Sequence, residues 1–401
     1  MKSSSHRSKR WMHLGSDPLP EQADVVVVGA GIMGLSVAWN LARMAPKPLR
    51  IAVIERSHLL GGASGRNGGG VRAQWSDETN IRLMKHSLAI CASFATEMGF
   101  NVWFRRGGYL FLVRSEHVFR ELSKAVELQR ELGLRTRLID VDEAKAIVPQ
   151  LNTQGLLCAS WNPDDAVVFP WPFVWGYAQA AKKLGVSLTT FTEVIDFELK
   201  GNRILGVLTS KGRIQSNHVI LCTGAWTSGL ARRIGVEVPS HPHRHEICSS
   251  EPLKPFLGPL VGDLENGLYF SQSMRGEIVG GIANPKVPPG LNQESSSHFL
   301  ARYAHALLKV IPILGHVKIV RQWAGCYDIT PDGHPICGEV EEVRGLYLLS
   351  GFMGHGFMMA PAMGESFAKY FLFGEERQLF ERWNLRRFRD GKLLRETMIL
   401  G

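Results

Sequence analysis

Val25-Val26-Val27-Val28-Gly29-Ala30-Gly31-Ile32-Met33-Gly34 is the stretch that decides the fold. Four β-branched residues closed by glycine read as a short strand buried on both faces. Gly34 to Arg43 then reads as a helix, with Leu35, Ala38, Trp39 and Ala42 at helical spacing. Ile51-Ala52-Val53-Ile54 is a second buried strand, closed by Glu55. This is a β-α-β unit carrying GxGxxG: Gly29 makes the tight turn, Gly31 lets backbone approach a pyrophosphate, and Gly34 packs helix on strand. Ile32 and Met33 open the helix whose N-terminus faces the phosphates. Glu55 stands 21 residues after Gly34, placed to accept from a ribose hydroxyl and to disfavour a 2′-phosphate, with Arg56 beside it.

The fingerprint is shared by NAD and FAD proteins. The loop Gly61-Gly62-Ala63-Ser64-Gly65-Arg66-Asn67-Gly68-Gly69-Gly70 follows the second strand directly. A simple NAD enzyme has no need of it there, whereas a flavin ring requires backbone to come close. Further along, Val219–Cys222 is an apolar run closed by Thr223-Gly224-Ala225-Trp226, and Gly345–Ser350 reads as a strand leading into Gly351-Phe352-Met353-Gly354-His355-Gly356-Phe357. A glycine-rich turn entering a helix presents N–H groups and a positive dipole end, suited to negative charge on a reduced flavin. The other reading of that turn is a tight strand–helix connection without a ligand.

Taken together and in order, these motifs resemble the glycine oxidase and sarcosine oxidase group of amine-oxidising flavoproteins. The likeness also draws on Trp323-Ala324-Gly325, Tyr327 and Thr330-Pro331-Asp332. Within the group the chain looks most like the FAD-carrying β subunits of multi-subunit sarcosine oxidases and dye-linked proline dehydrogenases. The resemblance spans about residues 23–373. It implies FAD, and oxidation of the C–N bond of a small amino acid or N-alkyl amino acid by hydride transfer to the flavin. By the same likeness Ser64, Arg66 and Asn67 hold the pyrophosphate and one side of the flavin, and Gly68, Gly69 and Gly70 continue that loop. Val194 meets the adenine through its backbone, Thr223, Gly224 and Trp226 close a strand end, and Gly351, Met353, Gly354, His355, Gly356 and Phe357 pass beneath the flavin's pyrimidine end.

An Arg fork matches a carboxylate, and the resemblance makes Arg72 the first candidate to anchor a substrate carboxylate, since a corresponding Arg does this in monomeric sarcosine oxidase. The alternative is a phosphate or main-chain carbonyl contact. Tyr269 and Tyr327 are candidate pocket aromatics or core residues with satisfied hydroxyls. His355 is a polariser or weak base, or a structural hydrogen-bonder. Three departures from the family matter. Gly325 stands where monomeric sarcosine oxidases attach FAD through Cys; Cys326 is one residue off and so points to the other strand face, which implies non-covalent FAD. Met358 stands where those enzymes have Lys, and a second Lys is not apparent near Gly276–Gly281, which favours a dehydrogenase over an oxidase. No His lies between His117 and His218, which argues against covalent FMN.

The expected architecture is α/β with an α+β second domain. A Rossmann-like FAD-binding domain (23–100, 145–238 and 325–375) is interleaved with an antiparallel-sheet substrate domain (101–144 and 239–324). A disordered basic tail (1–22), with a transit peptide as the alternative, precedes them. A basic segment (376–401) with an amphipathic helix from Glu381 follows. Net charge is +9, with no basic stripe interleaved with aromatics, so nucleic acid is not expected. Six cysteines without a CxxC pair suit a reducing cytoplasm, and no apolar stretch is long enough to span a bilayer. His241, His243 and His245 alternate, which reads as a polar strand face in preference to a metal site. A partner subunit or separate electron acceptor is expected. The competing reading is an FAD-binding subunit or assembly factor without turnover; a hydroxy-acid dehydrogenase is a third.

Overall fold

A computed structural model describes residues 15–400. The basic stretch 1–14 lies outside the described residues, as does Gly401. The four valines form the centre of a six-stranded sheet, all four side chains buried. Across it the strands run Ile336–Glu339, Leu346–Ser350, Val219–Leu221, Val25–Val28, Ile51–Ile54 and Ser187–Thr189. Every pair is parallel except the first, an antiparallel hairpin at one edge. Continuous apolar runs without alternation are what a sheet covered on both faces requires. One face is covered by helices Ile32–Met44, Pro170–Lys183 and Gly356–Phe373, and the largest apolar cluster lies between them and the sheet. The three-stranded antiparallel sheet Val194–Lys200, Arg203–Thr209 and Gly212–Gln215 packs on the other side.

The second layer is an eight-stranded sheet. Its order is Ile319–Ile329, His241–Pro252, Glu277–Ile282, Leu268–Gln272, Leu260–Asp263, Tyr109–Val113, Cys158–Asn162 and Arg137–Ile139. One pair breaks the expected antiparallel pattern: Leu260–Asp263 runs parallel to Tyr109–Val113. Those strands are separated by a long excursion through the nucleotide-binding sheet, so no hairpin dictates their direction. The expected segment boundaries shift accordingly. Cys158–Asn162, assigned by sequence to the first domain, is a strand of this sheet, and Ile319–Ile329 runs four residues past the expected break at 325.

Two terminal segments also differ from expectation. Residues 16–22 are laid against the parallel sheet: Asp17 N–H donates to the Leu188 carbonyl, its carboxylate accepts from Leu188 N–H at 2.8 Å, and Lys182 pairs with it at 2.6 Å. In place of one amphipathic helix from Glu381 there are two short helices, Arg377–Arg382 and Arg386–Arg389, followed by ten residues without regular structure. The buried fork of Arg387 on the Asp332 carboxylate, at 2.7 and 2.9 Å, fixes the second helix, so one internal ion pair overrides the helical pattern beyond it. No described helix is long and apolar enough to cross a membrane.

Gly34 sits where the first helix crosses the end of the first strand. A Cβ there would lie 2.0 Å from the Gly29 carbonyl oxygen, while Gly29 itself turns with φ +101°. Gly34→Val is therefore expected to destabilise the protein by about 3 kcal/mol or more, because strand and helix must separate. Urea denaturation compared with wild type measures this, and an unchanged midpoint would contradict the contact.

Candidate functional site

The carboxyl ends of the parallel strands open onto one cavity of about 810 Å³. That is where ligands bind in open α/β sheets, and the volume is within the range of cofactor sites. All the residues singled out by sequence line it except Gly34, which packs beneath.

At one end lies the fingerprint. Glu55 is held by two main-chain donors, Ala30 N–H and Ser57 N–H, each at 2.9 Å, so its carboxylate faces the cavity in fixed orientation. Ser64 Oγ accepts from Ile32 N–H at 3.0 Å, tying the glycine-rich loop to the helix start. The Arg56 guanidinium lies 3.9 Å from the centre of the Trp226 ring, an exposed wall against which a planar group can rest. Asn67 and Arg66 line the cavity and also brace the loop that carries them. Asn67 folds its own loop, donating to Ser64 O at 2.8 Å and accepting from Gly69 N–H at 2.9 Å. Arg66 donates to the carbonyls of Gly61 at 3.1 Å and Ala324 at 2.9 Å, and Trp323 Nε1–H donates to the Arg66 carbonyl at 2.9 Å. These bonds seat the loop on the strand that carries Gly325 and Tyr327.

At the middle of the cavity is the turn Gly351–Gly356. The Asp328 carboxylate accepts from Gly351 N–H at 2.7 Å and from Ser350 Oγ, and the Asp328 carbonyl accepts from Met353 N–H at 3.1 Å. Met353 takes a left-handed φ of +54° under this restraint. Helix Gly356–Phe373 starts here, as helix Ile32–Met44 starts at the far end, and neither cap residue gives its helix a side-chain hydrogen bond. Two helix N-termini facing one cavity suit a ligand with a pyrophosphate near one end and an electron-rich ring near the other. With Glu55 for a ribose, the residues fit FAD.

The remaining end is aromatic. His245 lies between Tyr327, 4.6 Å away with rings 9° from parallel, and Tyr269, 5.6 Å away at 18°. Its Nε2 is 3.0 Å from Tyr269 Oη. This meeting depends on Gly281 in the strand between them, where a Cβ would fall 2.8 Å from His245 Nε2 and 2.9 Å from Tyr269 Oη. Burial, reinforced by His243, pushes His245 down to about 3, so the ring is neutral. Burial also raises both tyrosines, which stay protonated. The alternating His pattern was visible in sequence. Its inner position was not, because it follows from the order of four strands far apart in the chain. Among the described residues no group of three or more metal-ligating side chains comes together.

Arg72 is buried, at 1% exposure. It donates to the carbonyls of Gln74 and Met398, stands 3.9 Å over the Trp75 ring, and places Nη2 3.4 Å from His355 Nε2. Burial lowers its pKa. Burial first, and then the Arg72 charge, hold His355 well below its ordinary value. Among the described residues no carboxylate bonds to the guanidinium; Asp165 and Glu396 act on it from a distance. Cys326 Sγ points to the carbonyls of Asn292 and Gly290, at 3.6 and 3.8 Å, whereas Gly325 faces the loop, a Cβ there meeting Arg66 at 3.3 Å.

Residues 24–370 match the family of DAO-type FAD-dependent oxidoreductases. The chain belongs to this family. It is 30% identical over 98% of its length to sarcosine oxidase subunit beta of Rhodobacter capsulatus, covering 95% of that protein. Among solved structures, L-proline dehydrogenase from P. horikoshii superposes with a TM-score of 0.89 at 36% identity, covering 94% of this chain and 100% of that one. Glycine oxidase from Bacillus cereus shares the fold at a TM-score of 0.79 and 22% identity, over 90% of this chain and 98% of that one. As a member of the family the chain is an FAD-dependent oxidoreductase.

His245 has a pH signature. Unfolded, the ring takes a proton near 6.5; folded, only near 3. Its share of stability is complete above pH 6.5 and is lost as pH falls toward 3. His245→Gln is expected to reduce the acid-side loss by up to about 1.4 kcal/mol per pH unit between pH 6 and 4. Urea midpoints across that range measure it, and parallel pH profiles for the two proteins would contradict a neutral buried ring.

Proposed function

We propose that the protein oxidises the C–N bond of a small amino acid or N-alkyl amino acid, of the sarcosine, proline or glycine kind, to an imine. The observation that carries this reading is the convergence of one buried cation, Arg72, with neutral His245, His355, Tyr269 and Tyr327 at the aromatic end of a cavity whose other end fits a dinucleotide. Arg72 is a buried charge without a direct counter-ion, a costly arrangement. A substrate carboxylate supplies that counter-ion through the remaining guanidinium N–H groups.

The same surroundings act on the substrate nitrogen. With both tyrosines protonated, no described side chain at this end offers an ammonium a counter-ion, and burial disfavours the charged amine. The amine is therefore held neutral, leaving its lone pair free to assist loss of hydride from the adjacent carbon. Bound FAD supplies the hydride acceptor. The protein's own part is to orient the carboxylate, wall the substrate with Tyr269 and Tyr327, and exclude water.

FAD is held without a covalent link, since Gly325 is the residue that faces the glycine-rich loop and the Cys326 thiol is directed at the Gly290 and Asn292 carbonyls. Apolar Met358 on the cavity wall, where oxygen-using relatives carry Lys, favours an electron acceptor other than oxygen. The similarity to a protein named as a beta subunit, over nearly the whole of both chains, supports work within a complex. A non-catalytic FAD-binding subunit is not favoured, because such a protein has no need to keep an unpaired buried guanidinium at the cavity.

The test is an anaerobic titration of the flavin-loaded protein with amino acids, N-methyl amino acids and opines. At least one small member is expected to bleach the flavin band near ~450 nm; retention of the band with every compound would overturn the reading. Arg72→Lys, checked for unchanged flavin content, is expected to weaken binding of the bleaching compound by roughly ten- to a hundred-fold, the value of a lost hydrogen bond to a charged group.

A further inference from the structure

Part of the wall beside Arg72 belongs to neither sheet nor helix. It is the irregular segment that follows helix Arg386–Arg389. Leu394 N–H donates to Asp332 at 3.3 Å, so the segment leaves from the buried Asp332–Arg387 pair. The Glu396 carboxylate then accepts from Ser76 N–H at 3.0 Å, Asn80 Nδ2 at 2.9 Å and Met398 N–H at 2.9 Å, and also from Ser76 Oγ. Thr397 N–H returns a bond to Ser76 Oγ at 2.9 Å. Met398 is 1% exposed; its carbonyl accepts from Arg72 and its sulfur from Gln129 Nε2 at 3.3 Å. Two residues on, Leu400 lines the cavity with Tyr109, Leu260 and Tyr269 and packs on the cluster they belong to. Its Cδ2 lies 3.0 Å from where a Cβ on Gly262 would stand.

The anchoring is tight. Withdrawing this segment would strip a carbonyl from a buried cation and leave the Glu396 carboxylate without its donors, each a large cost. The wall that Leu400 provides is therefore fixed rather than yielding. Leu400 itself contributes an apolar side chain to the cavity that Arg72 also lines, so it restricts bulk and offers no polar recognition.

We infer that Leu400 is a specificity-determining residue: it caps the size of the group a carboxylate ligand can carry while its carboxylate sits on Arg72. This rests on the proposed role of Arg72 as carboxylate anchor. The ligand class it selects is the small aliphatic amino acid or N-alkyl amino acid, against those with aromatic or long side chains. No other residue of the segment serves the same end, because Glu396 and Met398 are spent on holding it in place.

The inference is tested on flavin-loaded wild type, Leu400→Ala and Leu400→Trp, titrated with two carboxylates that cannot be oxidised at a C–N bond, acetate and benzoate. Binding is read as the perturbation of the flavin absorption spectrum. Acetate is expected to bind all three proteins with affinities within about two-fold, since its methyl group stays clear of the wall. Benzoate is expected to bind Leu400→Ala roughly ten-fold or more tighter than wild type, and Leu400→Trp more weakly than wild type. Acetate binding with benzoate affinities alike in all three proteins would overturn the size limit and leave the Arg72 anchor standing. Acetate binding to none of them would overturn the anchor itself, and the size limit with it. The two substitutions act in opposite directions, so if one variant fails to retain flavin the other still decides.

Discussion

The contact of Gly34 with the Gly29 carbonyl places the start of the first helix, and the site is laid out from that point. With no side chain at Gly34 the helix can begin directly over the strand end, its N-terminus turned to the cavity. Ser64 reaches the same helix start through Ile32 N–H, and Arg66, in the same loop, carries the restraint to Ala324. The second sheet is thus hung from the first through one glycine-rich loop. A shift of the helix would move the loop, the strand with Gly325 and Tyr327, and the aromatic end together.

How far the fold could be read from sequence depends on how local each signal is. Val25–Val28 and Ile51–Ile54 announce themselves as unbroken apolar runs, and a β-α-β unit leaves little freedom in how they pair. The helix Ile32–Met44 comes within two residues at each end of the periodic stretch Gly34–Arg43 that suggests it. The parallel pairing of Leu260–Asp263 with Tyr109–Val113 has no such signature. It joins segments some 150 residues apart, and only the packing of both sheets decides it. Residues 391–400 were equally opaque, because what fixes them is a carboxylate meeting Ser76 and Asn80 from far along the chain.

The cavity lining divides along the same line. Glycines and Glu55 are legible because they serve a backbone geometry written into a ten-residue motif. His245 is not, since its character comes from two tyrosines on other strands and from the bare backbone of Gly281 between them. Arg72 is marked out by the family resemblance, but its surroundings are not foreseeable: a carbonyl from residue 398 and the face of Trp75. Asn67 shows the reverse limit. A polar side chain in a phosphate-type loop suggests ligand contact, and what the sequence does not reveal is that it also shapes the loop.

Charge at the aromatic end is arranged so that one group alone carries it. Burial keeps His245 and His355 uncharged and both tyrosines protonated, and the nearest carboxylates stop short of Arg72. Each departure would be costly: a second cation would repel Arg72, and a carboxylate in contact would neutralise it. What is left is a single positive charge in apolar surroundings, next to a helix N-terminus with no side-chain cap. Both attract electron density, the first from a bound anion and the second from a ring that gains charge during reaction. The proposed transfer of a hydride from an amine is served by both: the first fixes the substrate carboxylate, and the second favours negative charge on the acceptor afterwards.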